Sequence, residues 1–306
     1  MSTLLKPAFE HPKLARSFLL LGLGGFLFSL ISCVNGPLFF LGGFLVLAWW
    51  SCIFVMDGWV YRQRGESLLI TFPKRFFFLC FWSLVFCSFW ALVHRGEMGL
   101  SRFLPFLSHG VGLFPPAWPV VSLLFFLSVI PMFFELTDLL DTSGIFRSVD
   151  GAALGRVRRT PVLVAGGVCL VLSMIWPSTL FPLLWAAPGL LLDPFNERWG
   201  AESLLSDVRL GNYRRFGLLL LSGLSFVVLC QSVVFFGGVR EGMGASLRIP
   251  LVWYLLFLPL ALSAFVSSVT LVTLWERSRV WVRGLLILAG AGIVLFSFSF
   301  GGFNFL

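Results

Sequence analysis

Acidic side chains are scarce in this chain of 306 residues, which holds only 14 Asp and Glu, and four of them recur at one kind of place. Asp57, Glu135, Asp193 and Glu276 each close a long apolar run. Glu135 and Asp138 are three residues apart and share a helical face, with Asp141 a turn further on. Such a carboxylate cluster could hold a cation or a proton. No His or Cys joins it, which argues against a transition-metal centre. A second pattern occurs twice. Residues 57–70, DGWVYRQRGESLLI, align without gaps on residues 193–206, DPFNERWGAESLLS. Asp57 matches Asp193, Arg62 matches Arg198, Glu66 matches Glu202 and Ser67 matches Ser203. These charged and hydroxyl residues are candidates for binding a partner protein or a lipid headgroup. The plainer reading pairs Arg62 and Arg198 with acids at the helix ends, while Ser67 and Ser203 cap short interfacial helices. A carboxylate at a helix C-terminus opposes the macrodipole, so a nearby guanidinium is expected to offset it.

Other chemistry is hard to find. The chain has no HExxH, no GxSxG, no Walker loop and no GxGxxG leading into a helix. Its three histidines, His11, His94 and His109, fall at loop ends and cannot face each other across a haem. All six cysteines lie in apolar runs without a CxxC, where thiols act as small hydrophobes. No cofactor is therefore expected. The net charge of +8 sits in short loops with no extended basic patch, so no nucleic-acid partner is expected either.

The elements that carry these residues follow from composition. Hydrophobic residues make up 58% of the chain and charged ones 12%, against about 25% charged in an average soluble domain. Residues 17–56, 76–94, 103–134, 160–192, 216–239, 249–275 and 284–306 contain no Asp, Glu, Lys or Arg. A bilayer-spanning helix needs roughly 20 apolar residues. The run 17–56 holds two spans, broken at Asn35-Gly36-Pro37, and 160–192 breaks at Pro177. The expectation is an all-α, polytopic transmembrane helix bundle of about nine spans, forming a single membrane domain over 1–306. The spans lie near 17–34, 38–56, 76–94, 118–135, 160–176, 178–192, 216–237, 250–275 and 284–301. The arms within 160–192 are short, so that segment is either two spans or a re-entrant hairpin. No acid or base falls in mid-span, which counts against an ion-coupled transporter. Pro131 and Pro259 sit inside spans, and Gly22, Gly24, Gly25, Gly290 and Gly292 offer close helix approach. The outer segment 95–117 is apolar, Pro-rich and too broken to span.

The repeated motif follows a pair of spans and precedes a basic cluster, Lys74-Arg75 or Arg214-Arg215, both times. Residues 16–140 and 159–280 therefore read as two parallel four-span repeats, with 281–306 as the final span. Lys and Arg concentrate in alternate loops. With the N-terminus cytoplasmic, only Arg95, Arg102, Arg240 and Arg248 fall outside, and the C-terminus lies outside too.

The stretch GAESLLSDVRLGNYRRFGLLLLSGL, residues 200–224, resembles a segment of bacterial polytopic inner-membrane proteins of uncharacterised function. In those, SLL-x-D-x-R-x-G-x-W-R-R leads into a span. Tyr213 stands here where that pattern has Trp, and CQSVVFFGG replaces its Trp/Asn-rich end. The resemblance implies a bacterial inner (cytoplasmic) membrane and no activity. The expected function is a non-catalytic membrane subunit or scaffold docking partner proteins in a membrane complex, with lipids and other membrane subunits as partners. The alternative is a transporter or channel for an apolar or lipid-like solute moving between the repeats, and a third option is an intramembrane enzyme. The orientation is directly testable. A cysteine replacing Leu100 or Ala245 is expected to react with an impermeant thiol reagent on intact cells. One replacing Gly65, Ala152 or Val280 should react only after the cells are opened, and its labelling on intact cells would contradict this orientation.

Overall fold

The computed structural model describes residues 11–35, 40–93, 118–145, 151, 157–240 and 251–299. The apolar, Pro-rich segment 95–117, with His94, His109 and the C-terminal residues 300–306, lies outside the described residues. Among the described residues every regular element is a helix. In chain order these are α1 (Pro12–Asn35), α2 (Phe40–Arg64), α3 (Leu68–Thr71), α4 (Pro73–Val93), α5 (Trp118–Thr142), α6 (Arg159–Ile175), α7 (Pro177–Arg198), α8 (Leu204–Arg209), α9 (Arg214–Arg240), α10 (Leu251–Arg277) and α11 (Val280–Ser299). Three stretches, Pro12–Ile31, Leu123–Thr142 and Leu258–Arg277, are long and apolar enough to cross a membrane, and Arg159–Ile175 and Val280–Phe296 are shorter apolar helices. This architecture is compatible with a membrane protein. Large side chains such as Leu20, Met174 and Leu288 point outward on α1, α6 and α11, as they would toward lipid.

The chain divides into two compact units, Met1–Ser83 with Leu113–Ile145, and Leu84–Gly112 with Phe146–Leu306. In the first, α1 and α2 form an antiparallel pair. Gly22 makes the close approach possible: a Cβ there would come within 2.7 Å of the Ser51 carbonyl and 2.8 Å of the Val55 nitrogen. Gly25 meets Ser51 in the same way, and Gly58 meets Leu19 and Ala15 from the other side. The Phe18 and Phe54 rings stack at 5.5 Å. On its other side α2 packs along α5, with Trp50 Nε1 donating to the Leu124 carbonyl at 3.2 Å and the Trp49 and Phe125 rings 5.3 Å apart. The short α3 folds back onto α2.

In the second unit α6 and α7 form a tight hairpin. Helical geometry breaks at Trp176 (φ −126°, ψ 66°), because Pro177 restricts the residue before it. Gly166 lies against Leu190 and Leu191. The α7 arm has 22 residues, longer than its apolar run, because the helix continues through Asp193 to Arg198. It packs along α10, where Asn196 Nδ2 donates to the Val266 carbonyl at 3.1 Å and Thr270 Oγ1 donates to Asn196 Oδ1 at 2.8 Å. Against α10 also lies α9, where Gly223 faces Ala261.

Each unit contains a serine inserted into the hydrogen-bond ladder of another helix. In the first unit Ser83 Oγ donates to the Phe126 carbonyl and accepts from Ile130 N–H at 2.9 Å, so it stands between two groups that would otherwise bond to each other. In the second, Ser263 Oγ donates to the Trp185 carbonyl and accepts from Gly189 N–H at 3.0 Å. A proline adjoins both insertions, Pro131 and Pro188, and cannot itself continue the ladder.

The glycines divide by role. A Cβ on Gly24 or Gly292 would meet nothing within 4 Å, so these two are not the close contacts the sequence suggested. Gly22→Ala is expected to force α1 and α2 apart at a cost of about 1–3 kcal/mol, whereas Gly24→Ala should stay within about 0.5 kcal/mol of the parent. Thermal unfolding of the solubilised protein separates the two: the apparent Tm should fall for the first substitution only.

Candidate functional site

The repeated motif is a helix end, a sharp turn and a short helix. Arg64 ends α2, and Gly65 then adopts the left-handed region at φ 82°, with its N–H bonded to the Tyr61 carbonyl at 2.8 Å. Arg198 ends α7, Gly200 sits at φ 64°, and Ala201 N–H bonds back to the Asn196 carbonyl at 2.9 Å. Glycine tolerates this conformation because it has no Cβ to clash. The reversal aims the first amides of α3 and α8 back at the helix just left.

Asp57 and Asp193 receive them. Leu69 N–H donates to Asp57 Oδ1 at 2.7 Å. Leu204 N–H donates to Asp193 Oδ1 at 2.9 Å, Leu205 N–H donates to Asp193 Oδ2 at 2.6 Å, and Ser203 Oγ donates to Asp193 Oδ2 at 3.2 Å. Leu69 and Leu205 hold matching positions in the two copies of the motif. Both carboxyls are buried, Asp57 at 0% and Asp193 at 6% exposure. Hydrogen bonds to a charged acceptor contribute roughly 1.5–3 kcal/mol each, which is what makes such burial tolerable. Ser203 Oγ also accepts from Ser206 N–H at 3.3 Å and caps α8 as expected, whereas Ser67 makes no side-chain cap and instead donates its N–H to Thr71 Oγ1 at 3.0 Å.

Two expectations are thereby corrected. Among the described residues no guanidinium pairs with Asp57 or Asp193; backbone amides donate to them instead. Nor do they end their helices: α2 continues to Arg64, α5 continues to Thr142 past Glu135, and α7 continues to Arg198. Only Glu276 stands at a helix end, one residue before Arg277. The dipole conflict read from the sequence therefore does not arise at the other three.

The remaining motif residues separate from the buried pair. Arg62, Glu66, Arg198 and Glu202 are exposed, and Ser67 and Ser203 are buried. The carboxylate cluster also divides. Asp138 and Asp141 face Arg64, Asp141 by a short direct hydrogen bond and Asp138 at 3.7 Å. Glu135 turns inward instead, at 0% exposure, where it faces the Asp57 carboxyl. Among the described residues no set of three His, Cys, Asp or Glu side chains is placed to hold a metal ion. Glu135 lies within the stretch Leu123–Thr142, so an acid does fall inside a helix long and apolar enough to cross a membrane. The apolar run stops before Glu135, but the helix and its buried surface do not.

Sequence reading missed Glu197 and Asn196. Glu197 accepts from Arg159 Nε at 2.7 Å and pairs with Arg209, whose Nε also holds the Val157 carbonyl at 2.6 Å. Asn196 is fully buried against α10. Its signal was its place three residues after Asp193, on the same inward face. Two of the arginines at helix starts meet acids, Arg159 with Glu197 and Arg215 with Asp207 at 3.1 Å, whereas Arg283 bonds the backbone carbonyl of Glu276 at 3.1 Å while lying over the Trp275 ring. Burial pushes the Asp207 carboxyl up from its ordinary range, and Arg215 offsets part of that shift.

No protein-family model, curated protein or solved structure matches the chain. The role of the site therefore rests on its geometry. Asp193→Ala strands two buried amides and should cost about 1–3 kcal/mol. It is expected to speed limited proteolysis between residues 199 and 213. Arg198→Ala, which removes an exposed side chain, should leave the cleavage rate unchanged.

Proposed function

We propose that this chain is a non-catalytic integral membrane subunit or scaffold that docks partner proteins within a bacterial inner-membrane complex. In this reading it is a nine-span bundle of two parallel four-span repeats, 16–140 and 159–280, plus a final helix. Its N-terminus is cytoplasmic and its C-terminus lies outside. The observation that carries the reading is where the polar groups go. Asp57 and Asp193 hold backbone amides, Glu197 holds two arginines, and Asp138 and Asp141 hold Arg64. Side chains spent on holding their own fold do not form a reaction centre. The charged side chains that each motif leaves exposed are one Arg and one Glu, at Arg62 with Glu66 and at Arg198 with Glu202. Those are the candidate contacts for another membrane subunit or a lipid headgroup. The matching amide bonds at Leu69 and Leu205 support the repeat.

A second reading, a transporter or channel for an apolar or lipid-like solute, gains from one observation. Glu135 lies inside an apolar helical stretch, and intramembrane carboxyls mark ion and proton pathways. Native mass analysis after gentle solubilisation separates the two readings. Other chains at fixed stoichiometry are expected. They should be lost when Arg62, Glu66, Arg198 and Glu202 are all replaced by Ala, with the apparent Tm retained. A single chain carrying only lipid would contradict the scaffold reading.

A further inference from the structure

We propose that Asp57 and Glu135 together form a buried binding site for one exchangeable proton, and that this proton keeps α3 seated on α2. The inference goes beyond the scaffold reading and does not depend on it.

It follows from an inventory of oxygens. Asp57 Oδ1 accepts from Leu69 N–H. Asp57 Oδ2 and both carboxyl oxygens of Glu135 are buried and have no hydrogen-bond partner among the described residues. What faces Glu135 is the Asp57 carboxyl itself. Two carboxylates only accept hydrogen bonds, so neither can satisfy the other. One proton resolves the arrangement. With Glu135 as the acid, its O–H donates to Asp57 Oδ2, and Asp57 keeps the negative charge that holds the Leu69 amide. Protonating Asp57 instead would weaken that amide bond. The proton belongs to the pair, with Glu135 as the donor.

Among the described residues the surroundings supply no other neutralising charge. From α5 comes Asp138, a further negative group, itself beside Arg64. Arg64 of α2 is turned toward Asp138 and Asp141. From α3 come the Leu69 and Ile70 amides and the Ser67 hydroxyl. Against this part of α2, at Gly58, α1 places Ala15 and Leu19, which carry no charge. Lys74 and Arg75 at the start of α4 are exposed. The second unit is the internal control. Asp193 spends both oxygens on Leu204, Leu205 and Ser203, so it needs no proton. Loss of the proton from the first unit's pair sets two charges face to face in a buried site. The helices must then part, or α3 must leave.

The test uses the full chain reconstituted in phosphatidylcholine vesicles at pH 7. Infrared spectroscopy should show the C=O stretch of a buried carboxylic acid. Glu135→Gln should abolish it, and Asp193→Asn should leave it in place. An independent measurement needs no variant. An apolar carbodiimide attacks protonated carboxyls and spares carboxylates, so peptide mass analysis of the parent protein should find Glu135 or Asp57 modified and Asp193 untouched. Modification should decline as pH rises and should not respond to sodium at fixed pH. The proposal is overturned if the acid band is absent from the parent protein. It is also overturned if neither carboxyl is modified, or if sodium protects them, which would make the pair an ionised cation site.

Discussion

A buried aspartate that receives the first amides of a short helix is the interaction on which both units depend. Asp57 does this for α3 and Asp193 for α8. A helix of four or six residues has no stability of its own, since nucleation alone is unfavourable. It persists because its free N–H groups meet a fixed negative charge and because Leu68, Ile70 and Leu205 are buried. The carboxylate in turn tolerates burial only because those amides arrive. Each half of the arrangement requires the other, and the left-handed glycines Gly65 and Gly200 set the turn that joins them.

The two copies differ in how completely the charge is satisfied. Asp193 has three donors on two oxygens, and the same end of α7 is reinforced by Glu197 between Arg159 and Arg209. Asp57 has one backbone donor in hydrogen-bond geometry and a second carboxyl against its free oxygen. An unpaired buried charge costs several kcal/mol, on the order of the net stability of a domain. Such an arrangement needs compensation, and a protonated Glu135 facing that carboxyl would provide it. Two copies of one motif thus carry a closed structural joint in one case and a titratable joint in the other.

Much of this was legible in the sequence, in its broad features. The charge-free runs identified the long helices because a 3.6-residue period is not needed where every face is apolar. The matched Asp, Glu, Ser and Leu of the two motifs marked the joint, and Ser203 was read correctly as a cap. The partners were not legible. An Asp followed by an Arg suggests a salt bridge, and nothing local announces that the chain will reverse at Gly65 or Gly200 and return amides from twelve residues downstream. Helix ends were misplaced for a related reason. A charge ends an apolar run, but it does not end a helix when the charge is buried against its neighbours, as at Glu135 and Asp193. Ser83 and Ser263 could not be distinguished from other small residues, because their role depends on which turn of another helix they meet.

The most direct measurement of this joint is amide hydrogen exchange at Leu69 and Leu205 in the solubilised protein, resolved by residue. Both amides should exchange as slowly as those inside α2 and α7, and Asp57→Ala and Asp193→Ala should each accelerate only the amide they abandon. Rapid exchange of Leu69 and Leu205 in the parent protein would mean that the carboxylates do not hold these helices.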